Sequence, residues 1–212
     1  MRSKHLRLHV DDLEDRSCPS TIQVIGHTLF VVGDAGDNRV LIQDNGNGQV
    51  RASIDSPIDA APLRTGTSSI VVLGRDGNDI VDYSLLSSLT QPMAVAVFGG
   101  GGDDAIDIRA NADIAASGGL GLYLDGGLGN DRISVAYEGV LTGALAAVLK
   151  GGDGDDTLTA NVALSGGSTG YLAAALFGDA GDDGLTLKVT ADTDKLSALV
   201  VPFAEASVGD KF

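Results

Sequence analysis

Residues 151–159 read Gly-Gly-Asp-Gly-Asp-Asp-Thr-Leu-Thr, and the pattern of the first six returns at residues 33–38 (GDAGDN), 74–79 (GRDGND), 99–104 (GGGGDD), 126–131 (GGLGND) and 178–183 (GDAGDD). Gly holds the first and fourth positions of all six segments, Asp or Asn the fifth, and Asp the sixth, Asn38 excepted. Successive first glycines lie 41, 25, 27, 25 and 27 residues apart. A signature on so even a ruler marks a repeat architecture rather than low-complexity sequence.

The flanks decide what repeats. Two and four residues before the first Gly stand pairs such as Val31 and Leu29, Val97 and Val95, or Leu124 and Leu122. Seven and nine after it stand Val40 and Ile42, Ile106 and Ile108, or Ile133 and Val135, with polar Asp82, Asp107, Ser134, Thr159 and Thr186 at the eighth place of later repeats. Apolar residues two apart on both sides of a Gly-rich segment predict a strand entering a tight turn and a strand leaving it. Coils of about 26 residues repeated in series predict an all-β, right-handed parallel β-solenoid. Coils stack about 4.8 Å apart, so the Gly-Asp loops line one edge. The opposite edge carries small-residue turns such as Ser117-Gly118-Gly119 and Ser165-Gly166-Gly167, without a matching carboxylate.

Composition agrees. The 212 residues suffice for one domain with its own core. Of 29 acidic residues, 26 are Asp and only Glu14, Glu138 and Glu205 are Glu, and there are 30 Gly, a balance that favours turns over helices. A net charge of −15 repels phosphate backbones and anionic membranes, so no nucleic-acid partner is expected. No apolar run approaches the 18 or so residues a membrane span needs, and a hydrophobic content of 43% is too high for a disordered chain. Cys18 is the single cysteine, which excludes an internal disulfide.

The loops resemble the RTX, or hemolysin-type, calcium-binding repeat, Gly-Gly-x-Gly-x-Asp-x-apolar-x. Residues 99–107, 126–134 and 151–159 match every defined position; residues 74–82 and 178–186 depart at Arg75 and Asp179, and residues 33–41 at Asp34 and Asn38. The resemblance covers residues from about 30 to 190, with a unit about three times the family's nine residues, so it implies calcium loops on one edge only. It implies Ca²⁺ held between successive loops, at most five sites for six loops, by Gly74, Asp76, Asn78 and Asp79; Gly99, Gly101, Asp103 and Asp104; Gly126, Leu128, Asn130 and Asp131; Gly151, Asp153, Asp155 and Asp156; and Gly178, Asp182 and Asp183. Elementary chemistry points the same way. Carboxylates and carbonyls are the hard oxygens calcium prefers, and stacked carboxylates about 5 Å apart repel by ~1 kcal/mol per pair in water and ~3 kcal/mol at an intermediate dielectric. The first pair of loops is the weakest, given the 41-residue spacing and uncharged Asn38.

Other readings of the same residues are weaker. Plain β-turn chemistry accounts for the glycines and one Asp or Asn, but not for Asp at the sixth position of five loops. The Asp103/Asp104, Asp155/Asp156 and Asp182/Asp183 pairs invite a glycosidase reading, yet a catalytic pair occurs once and these recur with the coil. The three histidines (His5, His9, His27) precede the regular repeats with no nucleophile signature around them, and no enzyme is expected.

Residues 1–20 fall outside the solenoid; Leu13-Glu14-Asp15-Arg16 followed by Cys18-Pro19-Ser20 resembles the LEDR/LEPR leader of bacterial surface and secreted repeat proteins. Residues 21–212 form one domain: starter strands and an insertion over 21–66, with a hairpin turn at Asp44-Asn45-Gly46-Asn47-Gly48; regular coils over 67–187; and a cap over 188–212, where Leu199 and Val201 take inward places and Pro202 stops the ladder. The strand entering each loop is apolar on both faces, so either a loop from the opposite edge or the 43–66 insertion covers it, or it serves self-association or a cell-wall partner. The expected function is an extracellular or cell-surface, calcium-rigidified structural module; the alternatives are an adhesion or carbohydrate-binding module with incidental calcium, and a remnant of a β-helical polysaccharide lyase.

Overall fold

The computed structural model describes residues 19–191 and 199–205. Its strands are β1 (Thr21–Ile25), β2 (Thr28–Val32), β3 (Arg39–Asp44), β4 (Val50–Ile54), β5 (Ser69–Asp76), β6 (Ile80–Leu85), β7 (Pro92–Gly101), β8 (Ala105–Ala110), β9 (Gly119–Leu128), β10 (Arg132–Gly139), β11 (Ala144–Asp153), β12 (Thr157–Leu164), β13 (Tyr171–Ala180), β14 (Gly184–Ala191) and β15 (Leu199–Glu205). The strands entering the Gly-Asp loops, with β1 and β15 added at the two ends, make one sheet, in the order β1-β2-β5-β7-β9-β11-β13-β15. Those leaving make the other, β14-β12-β10-β8-β6-β3-β4. Coil pairs with coil in parallel, which is a parallel β-solenoid.

Register follows the ruler. Leu122 of β9 sits between Val95 of β7 and Ala147 of β11, so spacings of 27 and 25 residues keep like positions in line. The inward residues of the flanks are buried from Leu29 and Val31 to Leu176 and Leu185, and Leu187, expected inward with Leu185, is partly buried at the end of the stack. Two such rows from each sheet meet across the interior, each large side chain contributing ~1.5–3 kcal/mol relative to exposure. The opposite edge adds a row that the period-two pattern does not reveal: Leu89, Ile114 and Leu141 are buried and bridge in parallel from coil to coil.

The first coil differs from the rest. β1 folds back antiparallel on β2 and β4 on β3, closing each sheet with a hairpin. The second turn is the expected one, with Gly46 at φ 78° and Gly48 at φ 75° and the Asn45 N–H donated to the Gln49 carbonyl at 3.0 Å. The 43–66 insertion therefore lengthens the second sheet rather than covering the first. At the far end, β15 continues the first sheet through Pro202, which proline allows on an edge strand. Its register corrects the expected one: Leu199 aligns with Tyr171 and Val201 with Ala173, both outward lines, while Val200 and Pro202 align with the inward Leu172 and Ala174. The expected leader with Cys18, and residues 192–198 and 206–212 of the expected cap, lie outside the described residues.

Candidate functional site

The Gly-Asp loops stack on one edge, and their carboxylates form two lines running in opposite directions. The sixth-position residues turn inward. Asp79, Asp104, Asp131, Asp156 and Asp183 are all buried, and the Oδ1 of each accepts the sixth-position N–H of the coil before it. Those bonds run Asn38 to Asp79 at 2.8 Å, Asp79 to Asp104, Asp104 to Asp131 and Asp131 to Asp156 at 2.7 Å, and Asp156 to Asp183 at 2.8 Å. The fifth-position residues turn outward and reverse the sense. The N–H of Asn78 is donated to Asp37, Asp103 to Asn78, Asn130 to Asp103, Asp155 to Asn130 and Asp182 to Asp155, at 2.8–2.9 Å. Adjacent acids such as Asp103 and Asp104 thus point to opposite sides of the turn.

The glycines follow from this packing. At the first position, a Cβ on Gly74, Gly99 or Gly151 would meet the Oδ2 of its own loop's sixth residue (Asp79, Asp104, Asp156) and the first-position carbonyl of the next coil (Gly99, Gly126, Gly178). At the second, Gly100, Gly127 and Gly152 take φ 120°, 114° and 119°, which side chains resist; Arg75 (φ 90°) and Asp179 (φ 67°) adopt positive φ all the same.

The other oxygens are committed along the stack. The third-position carbonyls of Leu128, Asp153 and Ala180 each accept the fourth-position N–H of the coil before (Gly102, Gly129, Gly154) at 2.8 Å. Asp76 and Asp153 themselves lie exposed at the rim, Asp76 reaching toward Gly101. Of the expected ligand set, the structure therefore brings together the sixth-position carboxylate of one coil and the first-position carbonyl of the next. It sets the third- and fifth-position groups apart from them on an outer line.

One oxygen is left over in each of four loops. The Oδ2 atoms of Asp79, Asp104, Asp131 and Asp156 are buried without a hydrogen-bond partner. Burial, only partly offset by the backbone N–H each accepts, raises Asp79 to about 6 and Asp104 and Asp156 to about 7, and lifts Asp131 in the same direction. Such a line of acceptors beside further carbonyl acceptors calls for a cation or a proton. The orphaned carboxylate oxygen and the first-position carbonyl near it are hard oxygens of the kind calcium takes, two per coil boundary against about 6–8 in a full calcium shell, and no group of three or more His, Cys, Asp or Glu converges among the described residues. Calcium here would be held by oxygens of two successive coils.

Two acids that sequence reasoning missed complete the N-terminal end. Asp55, at φ 50°, takes the Arg39 N–H at 2.7 Å and the Asn38 side-chain amide at 3.2 Å, closing the inner line at the first of the described coils. Asp44 is buried, accepting Tyr83 Oη–H and Gly46 N–H at 2.8 Å each, and burial raises its carboxyl above the usual range. Asp44 stood within a legible turn, but nothing in sequence pointed to Tyr83, 39 residues away.

Fold and edge together define a β-solenoid repeat protein with a buried carboxylate ladder. No family model matches the chain, and neither a curated protein nor a solved structure is significantly similar to it.

Proposed function

We propose that this chain is a non-catalytic structural module of an extracellular or cell-surface protein, rigidified by calcium bound along its inner carboxylate line. The observation that carries the reading is the set of buried, unpartnered Oδ2 atoms on Asp79, Asp104, Asp131 and Asp156, in register and each facing the boundary between coils. The likeness of the loops to the RTX repeat supports calcium over other cations, as does an all-oxygen donor set. The divergence of the Asp103 and Asp104 carboxylates, and of those of Asp155 and Asp156, each accepting from a different neighbouring coil, supports a structural rather than a catalytic use of the paired acids. Extracellular calcium, near millimolar, suits weak sites of this kind. A wall or self-association partner would meet the chain on the open face of the first sheet.

The test is a calcium titration of the metal-free protein followed by thermal denaturation. Each ion bound only by the stacked loops stabilises the fold by RT ln(1 + [Ca²⁺]/Kd). The melting temperature should climb with calcium, with magnesium a poor substitute because of its tighter octahedral shell. An unchanged melt between excess chelator and millimolar calcium sinks the reading.

A further inference from the structure

We infer that the outer face of the first sheet is the interface of a symmetric dimer of this chain. Strands β5 to β13 present two kinds of outward row there. Toward the Gly-Asp edge stands a ridge, with Phe98 and Tyr123 rings 5.6 Å apart beside Leu73 and Val71. Toward the opposite edge lies a floor of small residues over β7 to β11, Ala94, Gly121 and Ala146 in one register line and Pro92, Gly119 and Ala144 in the next, bounded on β13 by the exposed ring of Tyr171. A depression of about 410 Å³ runs over this floor. Leu73, Phe98 and Tyr123 remain 36–38% exposed, and no described segment packs over them.

Over β7 to β11 the central lines match across a two-fold, with the Tyr123 ring opposite Gly121 of a second copy and Val148 opposite Ala146. A two-fold axis running along the solenoid lays each ridge into the partner's floor, like coil on like coil. Charge selects this arrangement over the alternative. Thirteen of the 26 aspartates lie within the six loops of the Gly-Asp edge. The face itself carries Asp125 and Lys150, with Lys150 Nζ 3.1 Å from Asp179 at its border. The axis along the solenoid sends the two acidic edges to opposite sides of the pair. An axis along the strands would stack ridge on ridge and bring the acidic edges together, at high cost for a chain of net charge −15. The size is sufficient. Five strands ~4.8 Å apart and four outward rows ~6.7 Å apart span roughly 650 Å² per copy, or about 1,300 Å² in the pair, within the range of stable interfaces.

Sedimentation velocity on the full chain tests the pairing. The wild type should run at twice 21.5 kDa. Ala146→Glu in the floor and Phe98→Glu on the ridge should each give a monomer with an unchanged circular dichroism spectrum, since both positions point outward. Cross-linking tests the symmetry independently of those variants. In a Cys18→Ser background, Ala96→Cys and Val148→Cys lie near the axis and should each be joined to its own copy by a bis-maleimide of about 10 Å reach, since the paired sheets stand ~10 Å apart. A wild type that stays monomeric at about 100 µM, in the range where weak dimers assemble, overturns the inference. So does a dimer that survives both charged variants. Cross-linking of Ala96→Cys only when mixed with Val148→Cys overturns the proposed axis.

Discussion

The two oxygens of Asp104 have separate jobs. Oδ1 accepts the buried N–H of Asp79 at 2.7 Å, and Oδ2 lies without a partner beside the Gly126 carbonyl. Asparagine can keep the first oxygen and put an N–H₂ donor where the second oxygen stood. In metal-free buffer Asp104→Asn should therefore melt at or above wild type. Asp104→Ala, which orphans the Asp79 N–H, should lose about 1–3 kcal/mol. With calcium the order should narrow or reverse, because the amide cannot replace a carboxylate ligand. Equal losses from both variants without calcium would mean that Oδ1 does not carry the coil-to-coil bond. The need for an oxygen at the sixth position was legible from its recurrence. Which oxygen serves which partner was not, because Asp79 and Asp104 stand 25 residues apart and only the stacking direction decides who donates to whom.

On the scale of a loop and its two strands, alternation was almost fully readable. The inward rows around each Gly-Asp segment are those the period of two names, because a strand buried on one face has no other way to place them. Beyond residue 183 the ruler ends, and the register of β15 could not be counted from a Gly loop; it falls 28 residues from β13 rather than 25. The second loop position gives an element-level test. Arg75 holds φ 90° where three other coils use Gly, a conformation costing a side chain ~1–3 kcal/mol. Arg75→Gly should raise stability by about 1 kcal/mol after the extra backbone entropy of glycine is subtracted, read as a higher denaturant midpoint. A lower midpoint would show that the Arg75 side chain makes contacts worth more than the strain.

For the whole molecule, the carboxylate line sets a pH dependence of unusual sign. Asp104 and Asp156 titrate near 7 and Asp79 near 6 in the folded chain, against 3.8 for the ordinary side chain. Between those values the folded protein holds protons that the unfolded chain releases, so stability must fall as pH rises. The stabilisation is fully present below about pH 4 and is lost as pH climbs through 6 to 7. Metal-free protein should accordingly melt progressively lower from about pH 4 to about pH 8, at least in the part governed by these groups. Saturating calcium should flatten that slope, since the cation takes over the neutralisation that protons supply in acid. Melting curves across this range, with and without calcium, decide it. Metal-free stability that rises with pH would remove the electrostatic need for a metal.

The hairpins of the first coil also give the chain a direction in time. β1–β2 and β3–β4 are the antiparallel strand pairings among the described residues, and each closes a short loop. Every later strand must instead find a partner a whole coil away in sequence, at a higher loop-closure cost unless a template already waits. Ordering is therefore expected to begin at these hairpins and zip forward one coil at a time, each finished turn presenting the edge on which the next condenses. A fault in a middle coil should then hold back the coils downstream more than those upstream.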